Sequence, residues 1–188
     1  VFIVLFIVPF ITLAQTATTT DGSSDSQAER RERIRGYRRQ SSETEQKINS
    51  LPTTAVTSVT VPILFGVGIG DFYPNFGDPR GGGTRTHEGE DIMAIKGTPI
   101  VSPTPAVVLR VGSGSTEGYY VYTANPGGET FVYMHLDKIG EGVVSGAVLE
   151  IGSLIGYVGN TGNASGGAAH LHFEIRDEIT EHAYNPFL

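Results

Sequence analysis

The 188-residue chain contains no cysteine. Within this sequence that excludes thiolate metal ligands, thiol nucleophiles and an acyl-cysteine membrane anchor, while saying little about compartment. No charge occurs among the first twenty residues. Yet no apolar run reaches the ~20 residues of a membrane-spanning helix. Basic side chains are scarce further on: residues 50–188 carry six against fourteen acidic ones, a net of −8. That imbalance argues against nucleic acid as a partner, because phosphate backbones are gripped through clustered Lys and Arg. Histidines are also few, five in all, and their placement is the most informative feature of the chain.

The apolar run Val1 to Ala14 (VFIVLFIVPFITLA) has the length of a signal-peptide core. Small residues around Ala14-Gln15-Thr16-Ala17 suit cleavage, whereas Pro9 inside the run blurs both a cleaved leader and a membrane anchor. Export by residues 1–17 is the expectation, with a buried core strand as the bland alternative. Residues 18–59 read as a polar linker. Thr, Ser, Asp and Gly dominate its start, and QAERRERIRGYRRQSSETEQKIN follows with a thin apolar stripe and Gly36 in the middle. Such a stretch supports at most a short helix, and its six arginines suit a charged spacer or a contact with anionic lipid or wall polymer.

From residue 60 to 188 a single domain is expected, with an all-β fold. Glycine numbers 25 and lies almost wholly beyond Gly66, which favours short strands and tight turns over a helical bundle. Short apolar or alternating runs recur at Pro99–Val101, Ala106–Val111, Tyr119–Thr123, Thr130–His135, Val148–Ile151, Leu154–Val158 and His170–Arg176. None has a helical period. A compact antiparallel sandwich or open barrel is the architecture that follows.

Four histidines fall in three clusters: His87-Glu88-Gly89-Glu90-Asp91, Tyr133-Met134-His135-Leu136 and His170-Leu171-His172-Phe173. Two imidazoles and a carboxylate form a zinc site that keeps one position open for water, and two more imidazoles remain to handle protons. In HLHFEIR, strand alternation puts His170, His172, Glu174 and Arg176 on one face, and Leu171, Phe173 and Ile175 on the other. Two histidines about 6.6 Å apart along one strand face cannot easily share an ion. One is therefore a ligand and the other its neighbour. His87 and Asp91 can meet only if their segment curls, for which Gly89 offers backbone angles other residues avoid. Glu174 is read as an exposed carboxylate in preference to a partner of an imidazole, and His182 as an exposed residue outside every motif.

HEGED, YMHL and GNTGNASGGAAHLHFEIR together resemble the lysostaphin-type, or LytM-like, zinc endopeptidases of bacterial cell walls. PRGGGTRTHEGEDI, GTPIVSP, IGYVGNTGN and a terminal NPFL agree, so the likeness runs from about Gly66 to Leu188. The chain departs at Ala168-Ala169, where a proline often precedes the HxH strand, and carries an added Gly-Gly nearby. The resemblance implies the duplicated-hybrid-motif type of β fold and one Zn²⁺ held by His87, Asp91 and His172. It also implies His135 and His170 as the catalytic pair beside a water. Tyr73, Arg80, Tyr119, Asn160, Thr161 and Asn163 sit in or beside loops that could line a groove, and are candidate substrate contacts.

The implied function is an extracytoplasmic endopeptidase that hydrolyses stem or cross-bridge peptides of peptidoglycan. A monomer is expected, held at the membrane if the leader persists. Two other classes compete. A non-catalytic LytM-like scaffold that activates another wall hydrolase would have lost zinc ligands, and all five positions are filled here. A histidine phosphocarrier fits neither the exported leader nor an aspartate ligand.

Overall fold

The computed structural model describes residues 41–177 and 181–187, together with Glu32 and Arg39. The expected leader, residues 1–17, lies outside the described residues, as does most of the linker up to residue 40. The chain divides into two units, Val1–Gly36 and Tyr37–Leu188. All described residues but Glu32 belong to the second. Among them no helix is long and apolar enough to cross a membrane.

Thirteen strands follow one another: β1 (Phe72–Tyr73), β2 (Pro79–Arg80), β3 (Arg85–Thr86), β4 (Glu90–Met93), β5 (Pro99–Val101), β6 (Ala106–Gly114), β7 (Gly118–Asn125), β8 (Glu129–Leu136), β9 (Lys138–Ile139), β10 (Val148–Leu149), β11 (Leu154–Tyr157), β12 (His170–Asp177) and β13 (Ala183–Tyr184). Every described pairing between them is antiparallel. The largest sheet runs β1-β4-β12-β8-β7-β6-β10, with β13 beside the far end of β12. A second sheet has the order β5-β11-β9, and β2 and β3 form a separate hairpin. The all-β expectation holds, as does each strand anticipated from the apolar runs. The short strands β1 to β3 carry no such pattern, being two residues each and mostly exposed.

Strands β6, β7 and β8 form a meander because each is rich in β-branched and aromatic residues and the connections are short, Ser115–Glu117 and Pro126–Gly128. Their buried side chains join those of the second sheet in one core, with Ile92, Ile100, Val121, Phe131, Tyr133, Leu136, Ile155, Leu171 and Phe173 all at 2% exposure or less. Phe173 is the hub. Its ring lies 5.5 Å from that of Phe131 and 5.3 Å from that of Tyr133, between centroids. Residues 41–49 are helical. From that helix Lys47 Nζ donates to the Gly146 carbonyl at 2.7 Å, and the Gly127 N–H donates to the Pro52 carbonyl at 2.9 Å.

Strand β12 is the central strand around which the site forms. One edge pairs with β4 from His170 to Phe173, and the other with β8 from His172 to Asp177. Its apolar face anchors the core, so its polar face is held rigidly. Phe173→Ala, which removes the hub, should cost about 3–5 kcal/mol in urea denaturation. A loss below about 1 kcal/mol would show that the ring carries little of the packing.

Candidate metal centre

The register of β4 against β12 sets Asp91 directly opposite His172. Directly paired residues on one face of antiparallel strands approach within about 5 Å at Cβ, so pairing alone brings two donors together. The turn between β3 and β4 then folds His87 over them. His87 Nε2 lies 2.8 Å from His172 Nδ1 and 3.1 Å from Asp91 Oδ1, and His172 Nδ1 lies 3.0 Å from the same oxygen. Two ring nitrogens and one carboxylate oxygen thus converge on one point.

Gly89 permits this turn for a different reason from the one expected. Its backbone angle is not left-handed. A Cβ there would stand 2.5 Å from the Phe173 carbonyl oxygen and 2.8 Å from His172 Nε2. Close approach of β4 to β12, not an unusual angle, requires glycine.

Outer contacts orient each donor. His87 Nδ1 lies 2.9 Å from the Asn75 carbonyl, to which it donates, leaving the Nε2 lone pair for the centre. Asn75 Nδ2 donates to Asp91 Oδ2 at 2.9 Å, and Arg80 donates to that oxygen at 3.2 Å. Only Oδ1 of the carboxylate is left facing the histidines. His172 Nε2 is 2.8 Å from Glu174 Oε1, which favours the tautomer with Nδ1 free. Glu174 is therefore not the exposed carboxylate anticipated. It is 3% exposed, and Arg176 donates to its Oε2 at 2.6 Å while also reaching Glu88 at 2.7 Å. The strand face expected to meet solvent is covered here by the turn that carries His87.

These charges shift the protonation of the site. Burial alone would raise Asp91, but hydrogen bonds from His172 and His87 hold it well below the usual carboxylate range. Burial would lower His172, yet the Asp91 and Glu174 carboxylates raise it to about 9. His135 moves the other way, down to about 4, through burial first and then the neighbouring His170 and His172. It is a neutral imidazole at physiological pH.

His135 and His170 flank the three donors. Their rings are 5.0 Å apart between centroids, and His135 is 5.8 Å from His172. His135 Nδ1 lies 3.0 Å from the Thr161 carbonyl, and His170 Nδ1 lies 3.0 Å from that of Ala168. Each carbonyl takes the Nδ1 proton, so each Nε2 is the available acceptor. His170 Nε2 stays 3.8 Å from Asp91 Oδ1, outside the tight trio. His135 adopts a left-handed φ of 62°, rare for a residue with a side chain and a local strain the surrounding strands must hold.

The five histidine and aspartate side chains line a cleft of about 540 Å³ with Arg80, Arg85, Glu88, Glu117 and Asn163 on its walls. Of the expected substrate contacts, Asn163 reaches the cleft, whereas Arg80 does so committed to Asp91. Tyr73, 66% exposed, borders an adjoining hollow with Asn163 and His170. Tyr119, Asn160 and Thr161 do not line the cleft. Asn160 Nδ2 donates to the Gly167 carbonyl, and the Thr161 hydroxyl donates to that of Leu136, so both are engaged in shaping their loop. No sequence motif marks a role for Asn75 or Glu90. Glu90 is 1% exposed and accepts the Asn75 N–H at 3.0 Å, which fixes the loop that carries Asn75. NFGD reads only as a turn, and no spacing rule ties it to His87.

The donor set suits zinc. Tetrahedral ligands at ~2.0–2.1 Å stand ~3.3 Å from one another, and two imidazoles with one carboxylate are an open, catalytic combination. The observed separations of 2.8–3.1 Å are close to that requirement.

The family model described as peptidase family M23 matches residues 85–186. The L-Ala–D-Glu endopeptidase of Bacillus subtilis is 32% identical over 120 residues, 60% of this chain and 37% of that protein. The chain thus spans little more than a third of that relative. Lysostaphin from Staphylococcus simulans superposes with a TM-score of 0.53 at 25% identity, over 62% of this chain and 47% of that one. A zinc-containing peptidase from Vibrio cholerae gives 0.51 at 26% identity, over 67% and 39% respectively.

In metal-free protein His172 carries a proton below about pH 9 that an ion must displace. Apparent zinc affinity should therefore fall about tenfold per pH unit below that value, measured by competition with a chelator, and a pH-independent affinity would contradict the shared site. Glu174→Ala, which frees the His172 ring, should weaken zinc binding about 10–100-fold in the same titration.

Proposed function

The chain belongs to peptidase family M23, and from that premise we propose that it is an extracytoplasmic zinc endopeptidase that hydrolyses peptide cross-links of bacterial peptidoglycan. One observation carries the reading: the three donor atoms of His87, Asp91 and His172 converge within hydrogen-bonding distance, with the His135 and His170 rings beside them in one cleft. The name of the Bacillus subtilis relative supports a wall peptide as substrate. That of the Vibrio cholerae peptidase supports zinc.

His87 Nε2, Asp91 Oδ1 and His172 Nδ1 would hold the ion. When bound, zinc supplies a Lewis acid that polarises the scissile carbonyl and brings the pKa of a water toward ~7. His135 and His170 act through Nε2: one takes the proton of the attacking water, and one returns a proton to the leaving amine. A neutral His135 is suited to the first task. Asn163 and Tyr73 border the path of the substrate, while Arg80 holds Asp91 in its one-oxygen pose. The chain works as a monomer, exported by its apolar leader. A scaffold without catalysis would have no use for a complete set of donors and bases.

Purified peptidoglycan incubated with the zinc-loaded full chain should release peptide fragments detected by mass spectrometry, and a chelator should stop the release. His172→Ala should lose both metal and turnover. His135→Ala and His170→Ala should keep the metal while turnover drops about 10²–10⁴-fold. Cleavage that persists in chelator, or no cleavage by fully loaded protein, overturns the proposal.

A further inference from the structure

Residues 50–188 contain six cations, and five of them are engaged. Arg80 pairs with Asp91 and Asp78, Lys96 with Asp137, and Arg176 with Glu174 and Glu88. Arg110 lies over the Tyr122 ring at 3.9 Å and Lys138 over that of Tyr157 at 4.4 Å. Arg85 is the exception: among the described residues its side chain has neither an ion pair nor a ring partner.

Its position is specific. Arg85 stands directly opposite Arg80 across the β2–β3 hairpin, so both side chains project from the same face. Arg80 on that face reaches Asp91, and Arg85 lines the cleft. Like charges placed opposite each other on paired strands are destabilising, and only one of this pair is neutralised by the protein. In a portion of net charge −8 that would otherwise repel an anion, the one unmatched guanidinium faces the site of chemistry.

We propose that Arg85 is a specificity residue that binds a free carboxylate on the substrate beside the scissile amide. The proposal rests on the hydrolase reading above and narrows its substrate class. The suitable peptides are those that carry an ionised carboxylate next to the amide. Bridges of neutral residues lack that group. A guanidinium forks onto a carboxylate through two parallel N–H donors, which fixes the residue's orientation as well as its charge.

The test uses the zinc-loaded full chain and two synthetic peptides that differ only in a free α-carboxylate or its carboxamide beside the cleaved bond. Wild type should favour the carboxylate by about 10–100-fold in kcat/KM, mostly through KM. Arg85→Gln should bring the ratio of the two peptides close to one while metal content and melting temperature match wild type, and Arg85→Lys should restore part of the preference. Equal kcat/KM for both peptides in wild type, or an Arg85→Gln variant that keeps the full preference, overturns the proposal while the hydrolase reading stands. Failure of the loaded protein to cut either peptide or whole peptidoglycan overturns both.

Discussion

The structure depends on the alignment of β4 with β12. Setting Asp91 opposite His172 creates two of the three donors in one step, and the same alignment places Ile92 against Leu171 in the core. A shift of one residue would send Asp91 to the apolar face and Ile92 into the cleft, because strand side chains alternate. The core therefore enforces the register, and the register makes the site. Burial of Phe173 and Leu171 is paid for by nothing in the chemistry, yet it decides where the chemistry is.

Around that pairing lies a chain of alternating charge: Glu88, Arg176, Glu174 and His172. A buried carboxylate such as Glu174 is costly unless matched, and here it is matched on both oxygens. The result is an imidazole locked in one tautomer and one orientation. Asp91 is treated alike from the other side, with Asn75 and Arg80 on the oxygen that does not face the histidines. Such positioning leaves little reorganisation to be done when an ion or substrate arrives, the condition under which charge stabilisation is most effective.

The strain at His135 belongs to the same scheme. A left-handed residue at the end of β8 turns its ring toward the centre, and the Thr161 carbonyl holds it there. Thr161 in turn is fixed by its hydroxyl bond to Leu136. The loop between β11 and β12 thus works as a bracket for the His135 ring. That explains why Thr161, whose loop suggested a substrate contact, faces inward instead.

Much was legible in the residues themselves. The short runs of β-formers between glycines specified an all-β domain, because strand alternation and turn chemistry are local properties. The three histidine clusters pointed to a donor set of two imidazoles and a carboxylate, and His87, Asp91 and His172 do converge. What stayed hidden was set by distance along the chain. Asn75 meets His87 and Glu90 only once its loop folds onto β4, and the burial of Glu174 depends on the turn at Gly89, far away in the chain. The sequence marks Gly89 as the point where the segment curls, but the need for glycine there, the nearness of the Phe173 carbonyl, exists only once β4 and β12 pair. By itself the sequence determined which groups are available and which strands form. Only the tertiary structure decided which oxygen of Asp91 faces inward, which cation is left unpaired and which loop residues touch the cleft, because contacts between distant segments are fixed by packing and not by spacing.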